Sequence, residues 1–341
     1  MIELDGSMGE GGGQILRSSL ALSLLTGKAF HLANVRAGRE RPGLQPQHLM
    51  SVIAAAKVGA AQVHGDHKGS TDLVFIPGQV QAGRYRFPIG TAGATGLVLH
   101  TVYLPLALSG EAASELVIEG GTHVKAAPCF HFLEETWRAF LDLVGLRIKV
   151  SMRRSGFYPK GGGAIDAHIT PTARVRPLNA MERSACKRVR GFSAVAGLPA
   201  DIAQRQARRA ENRLKHCGLR VEIDEQTWSG GQGTVLALML DVEPVTICFF
   251  ALGERGKRAE RVADEAADQV LAYLEAAPAA LDPHSADQLV LPLAFADGPS
   301  RFTVSEVTQH LLTNVAVIRR FVDRDLSCTG EPGQPGEVSI V

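Results

Sequence analysis

Residues 13–78 contain GQILRSSLALSLLTG (13–27), FHLANVRAG (30–38), QHLMSVIAAAKVGAAQV (47–63) and STDLVFIPG (70–78). The first and third stretches space their apolar residues at helical intervals. The second and fourth are short, β-prone runs bounded by turn residues. Together they predict an apolar helix, a strand, a longer amphipathic helix and a closing strand or strand pair. The succession returns in TGLVLHTVYLPLALSG (95–110), ELVIEGG (115–121), FHFLEETWRAFLDLVGLRIKV (130–150) and GGGAIDAHIT (161–170). It returns again in ADQLVLPLAFADG (286–298), RFTVSEVT (301–308), QHLLTNVAVIRRFV (309–322) and GEVSIV (336–341). A leading strand, expected at Met1–Asp5 in the first unit and Tyr85–Ile89 in the second, makes each a βαβαββ-like unit of about eighty residues.

The repeat puts three histidines in register, early in each second helix: His48 in Gln-His-Leu, His131 in Phe-His-Phe and His310 in Gln-His-Leu. Between the second and third units lies an interruption, residues 184–278, with a pattern of its own. A strand at Lys187–Ala196, a basic helix at Ala200–Cys217, three strands within 219–251 and a helix at Gly256–Ala276 read as a small inserted α/β domain. Such an insertion is tolerable because closing a longer loop costs little further entropy. The expected fold is therefore α/β (α+β). Residues 1–183 and 279–341 form a large domain of three repeats, and residues 184–278 form the insert.

The 341 residues carry 36 Lys and Arg against 35 Asp and Glu, a formal net charge of +1. That excludes a histone-like, tail-driven nucleic-acid binder but permits a local basic groove. At 45% hydrophobic and 21% charged residues, the composition is that of a globular chain. No apolar run is long enough to cross a bilayer, so no membrane association is expected. The first residues lack the basic and apolar regions of a signal peptide, and five scattered cysteines (129, 186, 217, 248, 328) contain no Cys-x-x-Cys. These features predict a reducing, cytoplasmic location without a zinc or disulfide framework. The oligomeric state is left open, with a homodimer one option.

The 36 glycines cluster at 9–13, 90–96, 120–121, 161–163 and 230–233. The Gly9–Gly13 loop does not fit a dinucleotide fingerprint, because the third glycine would fall at Gln14. Gly27-Lys28 lacks the upstream glycine of a P-loop and is followed by Ala29. The chemistry lies instead in polar groups near helix starts: Glu10, Gln14, Arg17, Arg36, Arg39, Arg41, Gln47 and His48. Arginine binds phosphate bidentately at any relevant pH, and a helix N-terminus adds backbone donors and dipole. The loop around Arg36 and Arg39 is thus a candidate phosphate site. His310 also starts a helix, whose positive end disfavours imidazolium, and a neutral imidazole is a competent nucleophile toward phosphorus.

The ordered motifs GEGGGQILRSSLALS, RAGRERPGLQPQHL, GTAGATGLVL, GFYPKGGG, ADQLVLPLA and HLLTNVAVIRRF resemble those of the RNA 3′-terminal phosphate cyclase family over essentially the whole chain. The resemblance implies three βαβαββ units akin to half of an enolpyruvyl transferase, plus an inserted α/β domain. It implies an enzyme, an ATP-dependent, AMP-forming ligase of RNA processing or repair. ATP adenylates a histidine and releases pyrophosphate. AMP passes to an RNA 3′-phosphate, and the neighbouring 2′-hydroxyl closes a 2′,3′-cyclic phosphate and expels AMP. The implied cofactors and partners are ATP, a divalent metal (Mg²⁺ or Mn²⁺) and RNA 3′-phosphate ends.

By the same resemblance His310 is the nucleophile. Glu10, Arg17, Arg36, Arg39 and His48 are further catalytic positions, with Glu10 also a metal ligand. Gln47, His100, Pro128, His284, Asp287 and Gln288 contact the nucleotide. His100 and His284 depart from the family, which often carries Gln and Tyr there. Within the same superfamily, non-catalytic ribosome-assembly proteins lack the nucleophilic histidine, whereas His310 is present. An enolpyruvyl transferase needs two three-unit domains, roughly 420 residues, more than this chain has.

Overall fold

The computed structural model describes residues 1–341 and consists of four four-stranded sheets with helices between them. Elements are numbered in chain order. The first repeat contains β1 (Ile2–Asp5), α1 (Gln14–Thr26), β2 (Phe30–Ala33), α2 (Pro46–Val58), β3 (Gln62–His64) and β4 (Leu73–Ile76). The second contains β5 (Arg84–Pro88), α3 (Thr95–Ser109), β6 (Ser114–Gly120), a helical stretch, β7 (Arg147–Arg154) and β8 (Gly163–Thr170). That helical stretch runs through α4 (Phe130–Phe132), a π-helical turn (Leu133–Trp137) and α5 (Arg138–Leu143). The third repeat contains β9 (Asn179–Ala180), then after the insert α8 (Pro283–Leu293), β14 (Ser300–Val304), α9 (Gln309–Phe321), β15 (Leu326–Thr329) and β16 (Gly336–Ile340).

The sheet orders β1-β2-β4-β3, β5-β6-β8-β7 and β9-β14-β16-β15 are one topology three times. In each, the first two strands pair parallel across a helical crossover and the last two add antiparallel. The fold is α+β, built of repeated β-α-β units.

Two details differ from expectation. β9 is only two residues long, pairing Asn179 with Arg301 and Ala180 with Phe302. Two residues carry no period, so the sequence could not reveal it. The interruption consequently falls inside the third repeat, between its first strand and its first helix, rather than between the second and third units. β15 was likewise not anticipated as a separate strand.

The interrupting segment contains β10 (Arg188–Ala196), α6 (Asp201–Lys215), β11 (Arg220–Trp228), β12 (Gly233–Leu240), β13 (Ile247–Leu252) and α7 (Ala259–Glu275), in the sheet order β11-β10-β12-β13. The arginines of α6 meet acids of α7: Arg205 pairs with Glu260, Arg209 with Asp264, and Arg213 with Asp264 and Asp268. Most of the basic face read in the sequence is thus neutralised within the segment. Across the seam, Thr136 Oγ1 accepts from Cys248 N at 2.7 Å and donates to Thr246 O at 2.9 Å.

α1 and α3 bury residues all round, as central helices do. α1 packs against α2, α3 and α9, which brings the first and third repeats together. Phe30 of β2 stacks on Phe75 at 5.7 Å and meets Phe321 of α9 edge-on at 6.1 Å. Each buried ring contributes roughly 1.5–3 kcal/mol. No helix is long and apolar enough to cross a membrane.

Candidate active site

The glycine-rich turn between β1 and α1 is where the repeats converge. Gly9 has φ +60, and a Cβ there would lie 2.2 Å from Thr313 Oγ1 of α9. A Cβ on Gly13 would lie 2.5 Å from His48 Nε2 and 2.9 Å from Arg17 Nη1. Any side chain at either position would push α9, α2 or the arginine away. The glycines make room for a polar cluster.

His310 stands in the first turn of α9. Thr308 caps that helix, its Oγ1 accepting from Leu311 N at 2.9 Å and donating to Asp287 Oδ1 of α8. Nδ1 of His310 lies 3.1 Å from Glu10 Oε1. The contact has the distance of an ion pair but not the angle of a hydrogen bond, so both atoms are buried without a bonded partner. The other carboxylate oxygen of Glu10 meets Arg39 Nη2 at 3.0 Å. Burial first, then Arg17 and Arg39, pull the His310 pKa down against the opposing pull of Glu10, so the ring is neutral at pH 7.

Arg17, on the first turn of α1, donates to Gln14 Oε1 at 2.7 Å. Burial, with Arg36 and Arg39 nearby, brings its pKa down to about 10, and it stays charged at pH 7. His48, buried at the start of α2, is pushed down to about 2, chiefly by burial and then by Arg17, Arg36 and Arg39. It is a neutral imidazole beside arginines. Gln47 Oε1 accepts from Ala94 N at 3.0 Å and so joins the start of α2 to the start of α3. Together, helix starts from α1, α2, α3 and α9 are linked around this cluster. Their positive ends, with Arg17 and Arg39, suit a polyphosphate.

Arg36 is held differently from the expected free phosphate ligand. It has φ +58, and its Nη1 donates to Arg41 O at 2.6 Å and Gly43 O at 2.9 Å, which ties down the loop. Only its remaining donors are available outward.

Asp287 is buried, and burial pushes its carboxyl up to about 8, so it is protonated at neutral pH. Gln288 carries a buried Oε1 without a partner, a free acceptor. His284 is exposed one position into α8, edge-on to Phe132 at 6.2 Å. His100 of α3 packs on Trp137 at 4.9 Å, with its Nε2 unpartnered. Burial pushes its pKa down to about 3. Pro128 lies just before α4 and makes no side-chain polar contact with the cluster.

The sequence reading passed over the buried network that braces the site. Asn314 Oδ1 of α9 accepts from Ser18 Oγ at 2.7 Å and from Gln14 Nε2 at 2.9 Å. Its Nδ2 donates to Asp287 O at 2.6 Å. The available signal was polar residues at apolar-face positions, Ser18 in α1 and Asn314 in α9.

Glu10 brings a carboxylate to the cluster, and its Oε1 has no bonded partner. It offers a hard oxygen donor of the kind Mg²⁺ or Mn²⁺ takes together with substrate phosphates. The donor set fits such an ion only with nucleotide oxygens completing it.

A neutral histidine beside a carboxylate, set among helix N-termini and arginines, has the chemistry for nucleophilic attack on a phosphate. The family model described as RNA 3′-terminal phosphate cyclase matches residues 8–328. A protein of that name from Caldivirga maquilingensis is 43% identical over 333 residues, 96% of this chain and 94% of the relative. One from Ectopseudomonas mendocina is 44% identical over 331 residues, again 96% and 94%. One from Salmonella typhimurium is 42% identical over 328 residues, covering 96% and 95%. With the motifs, the threefold topology and near-complete matches all in agreement, the chain belongs to the RNA 3′-terminal phosphate cyclase family.

Proposed function

We propose that this chain converts RNA 3′-phosphate ends to 2′,3′-cyclic phosphates at the expense of ATP, with His310 carrying AMP. The observation that supports it most is the pairing of Glu10 with His310 Nδ1. With Nδ1–H facing the carboxylate, the lone pair is on Nε2. Nε2 attacks the α-phosphorus of ATP, a P–N bond forms, and the bond to pyrophosphate breaks. The positive charge that develops on the ring is balanced by Glu10. An oxygen of the RNA 3′-phosphate next attacks the same phosphorus and breaks the P–N bond. The 2′-hydroxyl then attacks the activated 3′-phosphorus, the bond to AMP breaks, and the hydroxyl proton passes to solvent.

Arg17 and Arg39 hold the phosphates, with the remaining donors of Arg36 assisting, and His48 stays neutral beside the arginines. Protonated Asp287 donates to a nucleotide acceptor, which a carboxylate could not do. Gln288, Gln47, His100, His284 and Pro128 complete the nucleotide pocket. A divalent ion held by Glu10 would neutralise phosphate charge when bound.

The test is a 3′-phosphorylated RNA oligonucleotide incubated with ATP. The expected product resists phosphatase and carries a cyclic end. An end that stays phosphatase-sensitive, with ATP unconsumed, contradicts the proposal.

A further inference from the structure

Away from His310, a second group of side chains meets at the seam between the repeats and the inserted segment. His123 follows the Gly120-Gly121-Thr122 turn, and Cys129 and His131 stand at the start of α4. His123 Nε2 lies 3.2 Å from His131 Nδ1. One potential ligand atom from each of His123, Cys129 and His131 lies within 4.8 Å of the other two. Cys248 of β13, across the seam, is near enough to Cys129 for the two buried thiols to perturb each other's ionisation. Cys129 and Cys248 are the two buried cysteines of the chain, and neither is in a disulfide. Phe157 stacks on His123 at 5.2 Å, Trp228 stacks on His131 at 5.4 Å, and Phe192 packs on His131 at 4.3 Å.

We propose that His123, Cys129 and His131 form a site for a zinc-class cation, with Cys248 as the fourth ligand. Two nitrogens bound to one tetrahedral zinc at about 2.0–2.1 Å sit roughly 3.3 Å apart. The two imidazoles are at that spacing already. Thr122 Oγ1 lies 2.8 Å from His123 Nδ1, which fixes the ring with Nε2 toward the cluster. A hydrogen-bonded second nitrogen is the arrangement that orients metal-binding imidazoles. Cys248 falls outside the mutual 4.8 Å group, so its thiol must move toward the other three ligand atoms to close the site. The nitrogen and sulfur donors favour zinc over magnesium or manganese, which separates this site chemically from Glu10. The absence of Cys-x-x-Cys argued against zinc in the sequence, but folding supplies the second thiol from another sheet. A bound ion would fasten the start of α4 to β13 of the inserted segment.

The test uses the full-length chain, reduced and stripped with a chelator, titrated with Co²⁺ alone. The expected result is one Co²⁺ per chain, with a thiolate charge-transfer band and tetrahedral visible bands, both abolished by Zn²⁺. Zn²⁺ should also raise the Tm of the stripped protein. Cys129→Ser and His131→Gln should each weaken Co²⁺ binding by about 100-fold or more, while Cys217→Ser at an exposed cysteine leaves it unchanged. His131 is only partly buried, and an unchanged far-ultraviolet circular dichroism spectrum of its variant separates ligand loss from misfolding. Absence of the thiolate band, or its survival in both ligand variants, overturns the proposal. A Cys129–Cys248 disulfide that persists under reduction also overturns it.

Discussion

Glu10 of the first repeat and His310 of the third face each other with Oε1 3.1 Å from Nδ1. Neither repeat holds the pair alone; it forms only because α1 packs against α9. In the proposed reaction the carboxylate would balance the charge that develops on the ring. Glu10→Gln keeps the shape and removes the charge. Its single-turnover rate of protein adenylation should fall by about 100-fold, with little change in Tm. An unchanged rate would leave Glu10 without a part in the first step.

Thr308 caps α9 and bonds Asp287 through the same hydroxyl. Thr308→Ala should cost about 1 kcal/mol of stability in chemical denaturation, the usual loss of a helix cap. It should also lower adenylation by loosening the turn that carries His310. Thr308→Ser should restore both. Loss of activity that serine fails to rescue would point away from the hydroxyl.

Buried histidines set an acid limit. His48 is held down at about 2, His100 at about 3, and His310 is also lowered. Exposed imidazoles titrate near 6.5. Between about pH 3 and 6.5 the unfolded chain binds protons that the folded chain does not. Stability therefore rises with pH across that window and levels off above it. Tm measured against pH should fall below about pH 6, and His48→Asn should flatten the slope. A slope identical in wild type and variant would contradict the assignment.

Asp287 has the opposite sign. Its carboxyl is raised to about 8 by burial, well above its ordinary value. Its contribution to stability is complete below about pH 4 and is lost as pH rises through about 8. Asp287→Asn removes that dependence. The Tm of the variant relative to wild type should be more favourable at pH 8 than at pH 5, while its affinity for ATP should fall at both. A Tm difference that does not vary with pH would place the ionised form in the folded protein.

Much of the fold was legible because each repeat carries its own helical and strand periods, and the repetition reinforced each reading. His310 was legible through its register with His48 and His131. The parts that were not legible depend on contacts between distant segments. β9 was too short to show a pattern. That one nitrogen of the Arg36 guanidinium bonds Arg41 O and Gly43 O depends on the folded loop and has no pattern in the sequence. The basic face of α6 reads as open until α7 covers it with Glu260, Asp264 and Asp268. Asn314 and Cys248 acquire meaning only from partners in other repeats or sheets.

The central claim is that His310 becomes covalently adenylated. The direct measurement is incubation with ATP labelled at the α-phosphate and a divalent metal, followed by denaturation and counting of protein-bound label. The expected result is label that is lost in acid, survives alkali, maps to the peptide containing His310 and disappears in His310→Ala. Label absent from the wild type, or retained in His310→Ala, would contradict the account.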